Sequence, residues 1–140
     1  MKKLILPLVL VMSFMSASVN ADMFVPDFAT MPALQCEISE TIYNQDNSVV
    51  THNKYHRIFR IDDPAKKVYL NKAPVDKLIT IDNEKIEMQL QTLTDDTIIL
   101  EKAALDRVNN TYSSTSQISY DSAFFAPRYA KAQGICKPVN

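Results

Sequence analysis

Hydrophobic and polar residues alternate along most of the chain, and asparagine and aspartate separate the alternating runs. In Ala33–Tyr43, one face of an extended strand would carry Leu34, Cys36, Ile38 and Ile42, with polar side chains between them. This period of two is typical of antiparallel strands with one buried face. The same pattern predicts strands at Lys54–Asp62, Lys67–Leu70, Lys77–Ile81, Lys85–Gln91, Thr111–Tyr120 and Arg128–Lys137.

The segment Thr97–Val108 fits two interpretations. As a strand it would place on one face Ile98, Leu100, Lys102, Ala104, Asp106 and Val108. The letters LEKAAL would also suit a helical turn. The context favours a strand, because Asn109 and Asn110 join it directly to the next predicted strand.

Seven or eight short strands with close turns predict an all-β domain, an antiparallel meander that curls into a small barrel or half-barrel. A two-sheet sandwich is the alternative. The chain has a single glycine, but asparagine and aspartate tolerate the positive φ that tight turns need. Any helix is expected in Asp22–Pro32 or around Ser122–Arg128.

The first residues predict a secretory signal peptide. Lys2 and Lys3 form a positive start, Leu4–Met15 is an apolar run, and Val19 and Ala21 place small residues before a cleavage site. The apolar run is shorter than the roughly 18–20 residues of a membrane span. We therefore expect export to the periplasm, with secretion as the alternative, and no stable membrane anchor after cleavage.

The predicted organisation is a signal peptide at 1–21, an irregular lead-in at 22–32 and a single β domain at 33–140. Cleavage removes Lys2 and Lys3 from the 15 basic residues and none of the 16 acidic ones, which leaves a formal charge of −3. Because nucleic-acid binding needs a clustered basic face, this balance gives no reason to expect a nucleic-acid partner.

The two cysteines, Cys36 and Cys136, are predicted to form a disulfide, because exported chains meet an oxidising compartment. Such a bridge would stabilise the fold by roughly 4–5 kcal/mol in the chain-entropy model. Gly134 shares its strand face with Cys136 and with the small side chains of Ala130 and Ala132. We interpret Gly134 as a structural residue that lets the last strand approach the first, either beside it or across the interior.

Three segments together resemble a loose group of small exported proteobacterial proteins of unknown function. They are FRIDDPAKKVY (Phe59–Tyr69), LDRVNNTY (Leu105–Tyr112) and GIC (Gly134–Cys136). In that group an arginine, a turn and an aromatic residue precede a closing Gly-x-Cys; here the turn is Asn109-Asn110. The resemblance implies an exported β-rich domain and carries no activity with it.

The chain offers little that predicts catalysis, a cofactor or a metal. His52 and His56 would lie about 13 Å apart on one side of a strand at ~3.3 Å per residue, too far for one metal. Ser113, Ser114 and Ser116 lack the local signature of an activated nucleophile. The runs Asp62-Asp63 and Thr94–Asp96 are interpreted as turns, and Arg57, Arg60 and Arg107 as partners in surface ion pairs.

These observations favour a non-enzymatic exported protein that binds another envelope or secreted protein, such as a periplasmic inhibitor or immunity-type protein. Tyrosine suits surfaces that are apolar at one side and wet at the other. The candidate binding surface is therefore formed by Tyr55, Tyr112 and Tyr120, although ordinary strand packing would also explain them. The alternative is a lipocalin-like barrel that binds a small ligand in its interior.

Overall fold

The computed structural model describes residues 27–139, which form one nine-stranded antiparallel sheet curled into a half-barrel. The strands are β1 (Ala33–Tyr43), β2 (Val49–Asp62), β3 (Lys67–Leu70), β4 (Ala73–Pro74), β5 (Lys77–Ile81), β6 (Lys85–Leu93), β7 (Thr97–Asp106), β8 (Thr111–Tyr120) and β9 (Arg128–Val139). The predicted signal peptide and the start of the lead-in lie outside the described residues.

The order of the strands explains why the sheet curls. Across the sheet they follow β4-β3-β2-β1-β9-β8-β7-β6-β5, so the first and last long strands pair at the centre. The two borders, β4 and β5, are consecutive in sequence, and only Val75 and Asp76 join them. Because two residues span a short distance, the borders must lie near each other and the sheet cannot be flat.

The predicted all-β fold is confirmed, and the eight predicted strands are all present. The pattern missed β4, whose two residues lie between two of the predicted strands, and β2 starts earlier than expected, at Val49. Neither region proposed for a helix forms one within residues 27–139: Ser122–Pro127 is a loop and Phe28–Thr30 is a turn. Over that same range, no helix is long and apolar enough to cross a membrane.

Asparagine occupies several tight turns, as predicted. Asn47, Asn71 and Asn110 have φ values of 69°, 50° and 55°, and they lie in the turns after β1, β3 and β7. Lys66 and Lys72 also adopt positive φ. Aspartates hold other turn amides: the Asp82 carboxylate accepts hydrogen bonds from the backbone of Glu84 and Lys85 at 2.8 and 2.9 Å.

The inward faces of the strands form one apolar core. On β1 the predicted Leu34, Cys36 and Ile38 are buried, and Ile42 is partly buried. The rings of Phe59 and Tyr112 stack with centroids 5.8 Å apart. From the lead-in, Phe28 packs edge-on against Tyr69 at 5.1 Å. The buried side chains of the core are Leu34, Cys36, Ile38, Phe59, Ile61, Val68, Ile86, Met88, Leu90, Ala103, Leu105, Tyr112, Ala132 and Cys136.

The seam between β1 and β9 confirms the predicted disulfide. Cys36 lies directly opposite Cys136 in the strand register, and their Cα atoms are 3.9 Å apart. Gly134 follows on the same face, opposite Ile38. A Cβ atom at Gly134 would lie 2.3 Å from the carbonyl oxygen of Glu37, so only glycine allows this approach. The buried disulfide is consistent with an oxidising extracellular or periplasmic compartment.

The strand favoured for this segment is present as β7, and the face that carries Ile98 and Leu100 is its outer face. Ile98 and Leu100 point outward and are exposed, whereas Glu101 and Leu105 point inward and are buried. Hydrophobic periodicity could not identify the inward face of β7, because the charged side chain of Glu101 occupies an inward position. Glu101 is accommodated by a partner on another strand.

That partner is Arg57 of β2, which crosses the interior of the half-barrel. Arg57 donates two hydrogen bonds to the Glu101 carboxylate, at 2.7 and 3.0 Å, and the Tyr112 hydroxyl donates a third. Burial alone would raise the pKa of Glu101, but the hydrogen bonds and charge of Arg57 outweigh it and hold that pKa below its ordinary value. The expected surface ion pair of Arg57 is therefore a buried one.

The ion pair predicted for Arg107 is present, and its partner is Asp63 in another turn. Arg107 makes a two-pronged pair with Asp63, at 2.9 and 2.8 Å, and donates to the carbonyl oxygen of Asp82 at 2.7 Å. This pair ties the turn after β7 to the turn after β2, at one end of the sheet. Arg60 instead lies over the ring of Phe28, 5.7 Å from its centroid.

Candidate functional site

Three connections meet at the end of the sheet opposite Arg107, and we call this the aromatic end. They are the β1–β2 turn (44–48), the β6–β7 turn (94–96) and the β8–β9 loop (121–127). The amide of Asp121 donates to the carbonyl oxygen of Asp96 at 2.9 Å, which joins two of them. Antiparallel strands bring alternate connections to the same end, so this cluster follows from the topology.

The β8–β9 loop presents two adjacent phenylalanines to solvent. Phe124 is 94% exposed and Phe125 is 60% exposed. The loop is shaped by Ser122, whose hydroxyl accepts a hydrogen bond from the Phe124 amide and whose carbonyl accepts one from the Phe125 amide, both at 3.2 Å. Large apolar side chains held in the open by a shaped loop are typical of a binding surface.

The phenylalanine loop is continuous with an arginine and a tyrosine. The rings of Phe125 and Tyr120 lie 5.8 Å apart, and the Arg128 guanidinium lies over the Tyr120 ring at 5.7 Å. Arg128 also donates to the side-chain oxygen of Asn44 at 3.2 Å. These contacts connect the loop to the β1–β2 turn, so the aromatic end is one surface.

A stacked tyrosine pair lies at the same end of the sheet but on its outer face, whereas Tyr120 and Arg128 lie on the inner face. Tyr43 and Tyr129 lie opposite each other on β1 and β9, with ring centroids 5.0 Å apart. The Tyr129 hydroxyl donates to the side chain of Asn47 in the β1–β2 turn. Tyrosine and arginine are the residue types that dominate binding energy in protein interfaces. The composition of the aromatic end therefore suits a protein partner.

The turns of the aromatic end are acidic. Ser48 donates from its amide and its hydroxyl to the Asp46 carboxylate, and these hydrogen bonds lower the pKa of Asp46. Asp46 thus stays negatively charged at neutral pH. The other acidic residues in these connections are Asp95, Asp96 and Asp121. The connections at this end therefore carry four acidic residues.

The three tyrosines predicted as a binding surface do not form one. Tyr112 is wrong as a surface residue, because it is buried in the core against Phe59 and Glu101. Tyr55 is half-buried beside Arg57, and burial raises the pKa of its hydroxyl to about 12. Tyr120 alone belongs to the aromatic end. The sequence analysis missed Phe124 and Phe125, although adjacent phenylalanines outside any alternating run were a usable signal.

The other candidate residues remain apart from one another. His52 and His56 are exposed on β2, where His52 hydrogen-bonds Thr41 at 3.0 Å and His56 lies 3.5 Å from Glu37. Ser114 and Ser116 face the interior and Ser113 faces solvent. Across residues 27–139, no three side chains of histidine, cysteine, aspartate or glutamate are grouped as metal ligands would be.

Side chains occupy the inside of the curled sheet. The Arg57, Glu101 and Tyr112 cluster bridges its middle, and apolar core residues lie beyond it. Open grooves of about 610 and 790 Å³ are lined mainly by outward-facing polar side chains, such as Lys102 in the first and Lys54 in the second.

Comparison of the chain with protein-family models, with curated proteins and with solved structures gives no match.

Proposed function

We propose that this protein is an exported, non-enzymatic binding protein that recognises another envelope or secreted protein through its aromatic end. The observation that carries the proposal is the β8–β9 loop, which holds Phe124 and Phe125 exposed beside Tyr120 and Arg128. A partner that covers these rings would remove apolar surface from water, worth roughly 25 cal/mol per Å².

The charge of the aromatic end supports a particular kind of partner surface. Asp46, Asp95, Asp96 and Asp121 lie in the connections that form this end. Complementary potentials favour a partner with an apolar centre and a basic rim. An inhibitor or immunity-type role in the periplasm, or after secretion, fits a small domain that presents one rigid surface. The filled interior speaks against the lipocalin-like alternative.

Affinity capture from an envelope extract, with the mature protein as bait, tests this function. We expect a stoichiometric partner that is retained by the wild type and lost with the double variant Phe124→Ser/Phe125→Ser. The matched control is Val108→Ser, because Val108 is also an exposed apolar residue, in the turn after β7 at the opposite end. This control should retain the partner.

A partner that the double variant retains at full yield would contradict the proposal. Absence of any stoichiometric partner for the wild type would also count against it. The circular dichroism spectra of the three proteins should be the same, which shows that the loss reflects the surface and not the fold.

A further inference from the structure

The C-terminal part of β2 has a strand neighbour on each side, but its N-terminal part has a neighbour on one side only. β1 pairs with β2 along its whole length, whereas β3 pairs only with Phe59–Asp62. Within residues 27–139, the stretch Val49–Arg57 has no strand on the side away from β1. It is an open sheet edge that starts at the aromatic end and runs toward the middle of the half-barrel.

The register shows which backbone groups this edge presents. The Ile58 carbonyl accepts a hydrogen bond from the Asn71 amide at 3.0 Å, so its backbone groups point away from β1. The β1–β2 register is unbroken between Ile58 and Thr51, and backbone direction alternates along a strand. The N–H and C=O groups of His52, Lys54 and His56 therefore also point to the open side. Such a row is a template for one more strand.

The side chains beside the edge indicate what that strand would carry. His52, Lys54 and His56 share the outer face of β2 and are exposed, and Lys72 is exposed in the turn where the edge ends. Glu37 of β1 lies 3.5 Å from His56. Opposite charges on directly opposed positions stabilise a strand pair. An incoming strand with acidic residues on its outer face would complement Lys54 and Lys72.

A second copy of this chain fits the edge poorly. Two β2 edges paired antiparallel about Lys54 would place the Lys54 ammonium group of one copy directly opposite that of the other. Like charges directly opposed across a strand pair are destabilising. The charge of the edge therefore favours a different chain.

We infer that the Val49–Arg57 edge of β2 is a second recognition surface, which binds an extended acidic segment of another protein as an added antiparallel or parallel strand. Main-chain hydrogen bonds to His52, Lys54 and His56 would supply affinity, and acidic side chains would supply specificity. This surface does not depend on the phenylalanines of the aromatic end.

Amide hydrogen exchange followed by NMR, with a synthetic probe, tests the inference. The probe is a capped peptide of about eight residues, with glutamate at alternate positions and valine or threonine between. At a peptide concentration that occupies about nine-tenths of the protein molecules, the amides of His52, Lys54 and His56 should exchange about tenfold more slowly. The control peptide has the same side chains but every backbone amide is N-methylated, so that neither of its edges can donate to a strand ladder, and it should give no protection.

A charge-reversed variant tests the acidic specificity. With Lys54→Glu, the preference should change to a peptide in which lysine replaces glutamate. The double variant Phe124→Ser/Phe125→Ser should bind the acidic peptide as the wild type does, so that failure of this surface and failure of the aromatic end are distinguishable.

Three results would overturn the inference. One is no protection at these amides with the acidic peptide in excess. Another is equal binding of the N-methylated peptide, which would show charge attraction without strand addition. The third is concentration-dependent protection in the free protein, together with a dimer in sedimentation, which would make a second copy the occupant.

Discussion

At the scale of single residues, glycine is used where a side chain would collide and not where the chain turns. The turns rely on asparagine, aspartate and lysine, and the one glycine lies within β9, opposite Ile38. Its missing side chain allows β1 and β9 to approach beside the disulfide. Ala130 and Ala132 continue the same small face and are buried. Close approach at this seam thus depends on one position.

Replacement of Gly134 by valine should lower the free energy of unfolding by about 3 kcal/mol or more, because the new Cβ would meet the Glu37 carbonyl oxygen at 2.3 Å. Urea denaturation measures this effect, and mass spectrometry of the unreduced protein reports the disulfide. The matched control is Ile135→Val, since Ile135 is the exposed neighbour on the same strand. Wild-type stability and oxidation in Gly134→Val would contradict the close-approach argument.

At the scale of elements, β2 and β7 are held together although three strands, β1, β9 and β8, separate them in the sheet. The buried pair of Arg57 and Glu101 joins their inward faces, and Tyr112 of β8 completes the hydrogen bonding. The pair of Arg107 and Asp63 joins the turns that follow the same two strands. Both ion pairs connect the two segments across the concave side of the sheet, where the strands are too far apart to pair through their backbones.

Replacement of only one member of the Arg57–Glu101 pair should lower the free energy of unfolding more than replacement of both members. Glu101→Leu alone leaves the Arg57 charge buried and unpaired, and should lower the free energy of unfolding by about 3–5 kcal/mol. The double variant Arg57→Met/Glu101→Leu should lose less than the sum of the two single variants. A urea-denaturation double-mutant cycle measures the coupling.

The more exposed ion pair of Arg107 and Asp63 serves as the control for this double-mutant cycle. Asp63→Ala should cost only about 1 kcal/mol, since 42% of the Asp63 side chain is exposed and water screens the pair. Additive losses at Arg57 and Glu101 would show that the buried pair does not couple β2 to β7.

At the scale of the whole molecule, a meander becomes a half-barrel because the chain ends pair at its centre and two residues join its borders. The disulfide closes a stretch of 100 residues across the β1–β9 seam. Buried charge and buried tyrosine then make the stability of the fold depend on pH at both extremes.

The free energy of unfolding should fall at both acidic and alkaline pH. Hydrogen bonds from Arg57 and Arg107 give Glu101 and Asp63 pKa values below those of the unfolded chain, although burial of Glu101 acts in the opposite direction. The unfolded chain therefore binds more protons below about pH 4, and stability is lost as the pH decreases.

The loss of stability at alkaline pH comes from tyrosine side chains whose pKa values are raised in the folded protein. Burial raises the pKa of Tyr55 to about 12 and that of Tyr112 further, so above about pH 10 the unfolded chain releases protons that the folded chain keeps. Urea midpoints from pH 3 to 11 measure both limbs. The variant Tyr55→Phe should weaken the alkaline limb, and an unchanged midpoint above pH 10 in the wild type would contradict this account.

The sequence by itself determined the strands, most of their inward faces and the disulfide. Period-two alternation is a local property, asparagine at positive φ is a local property, and two cysteines allow one pairing. It also predicted export, and that prediction rests on residues 1–21 alone.

Only the tertiary structure decided what depends on contacts between distant segments. Glu101 points inward because Arg57, 44 positions earlier, satisfies it, and no local pattern contains that partner. Tyr112 can be buried because its hydroxyl forms hydrogen bonds with the same two side chains. Phe124, Tyr43 and Tyr129 lie at one end of the sheet because antiparallel topology brings alternate connections to the same end. Burial of charge and assembly of a surface are decided by long-range contacts, and hydrophobic alternation reports only short-range order.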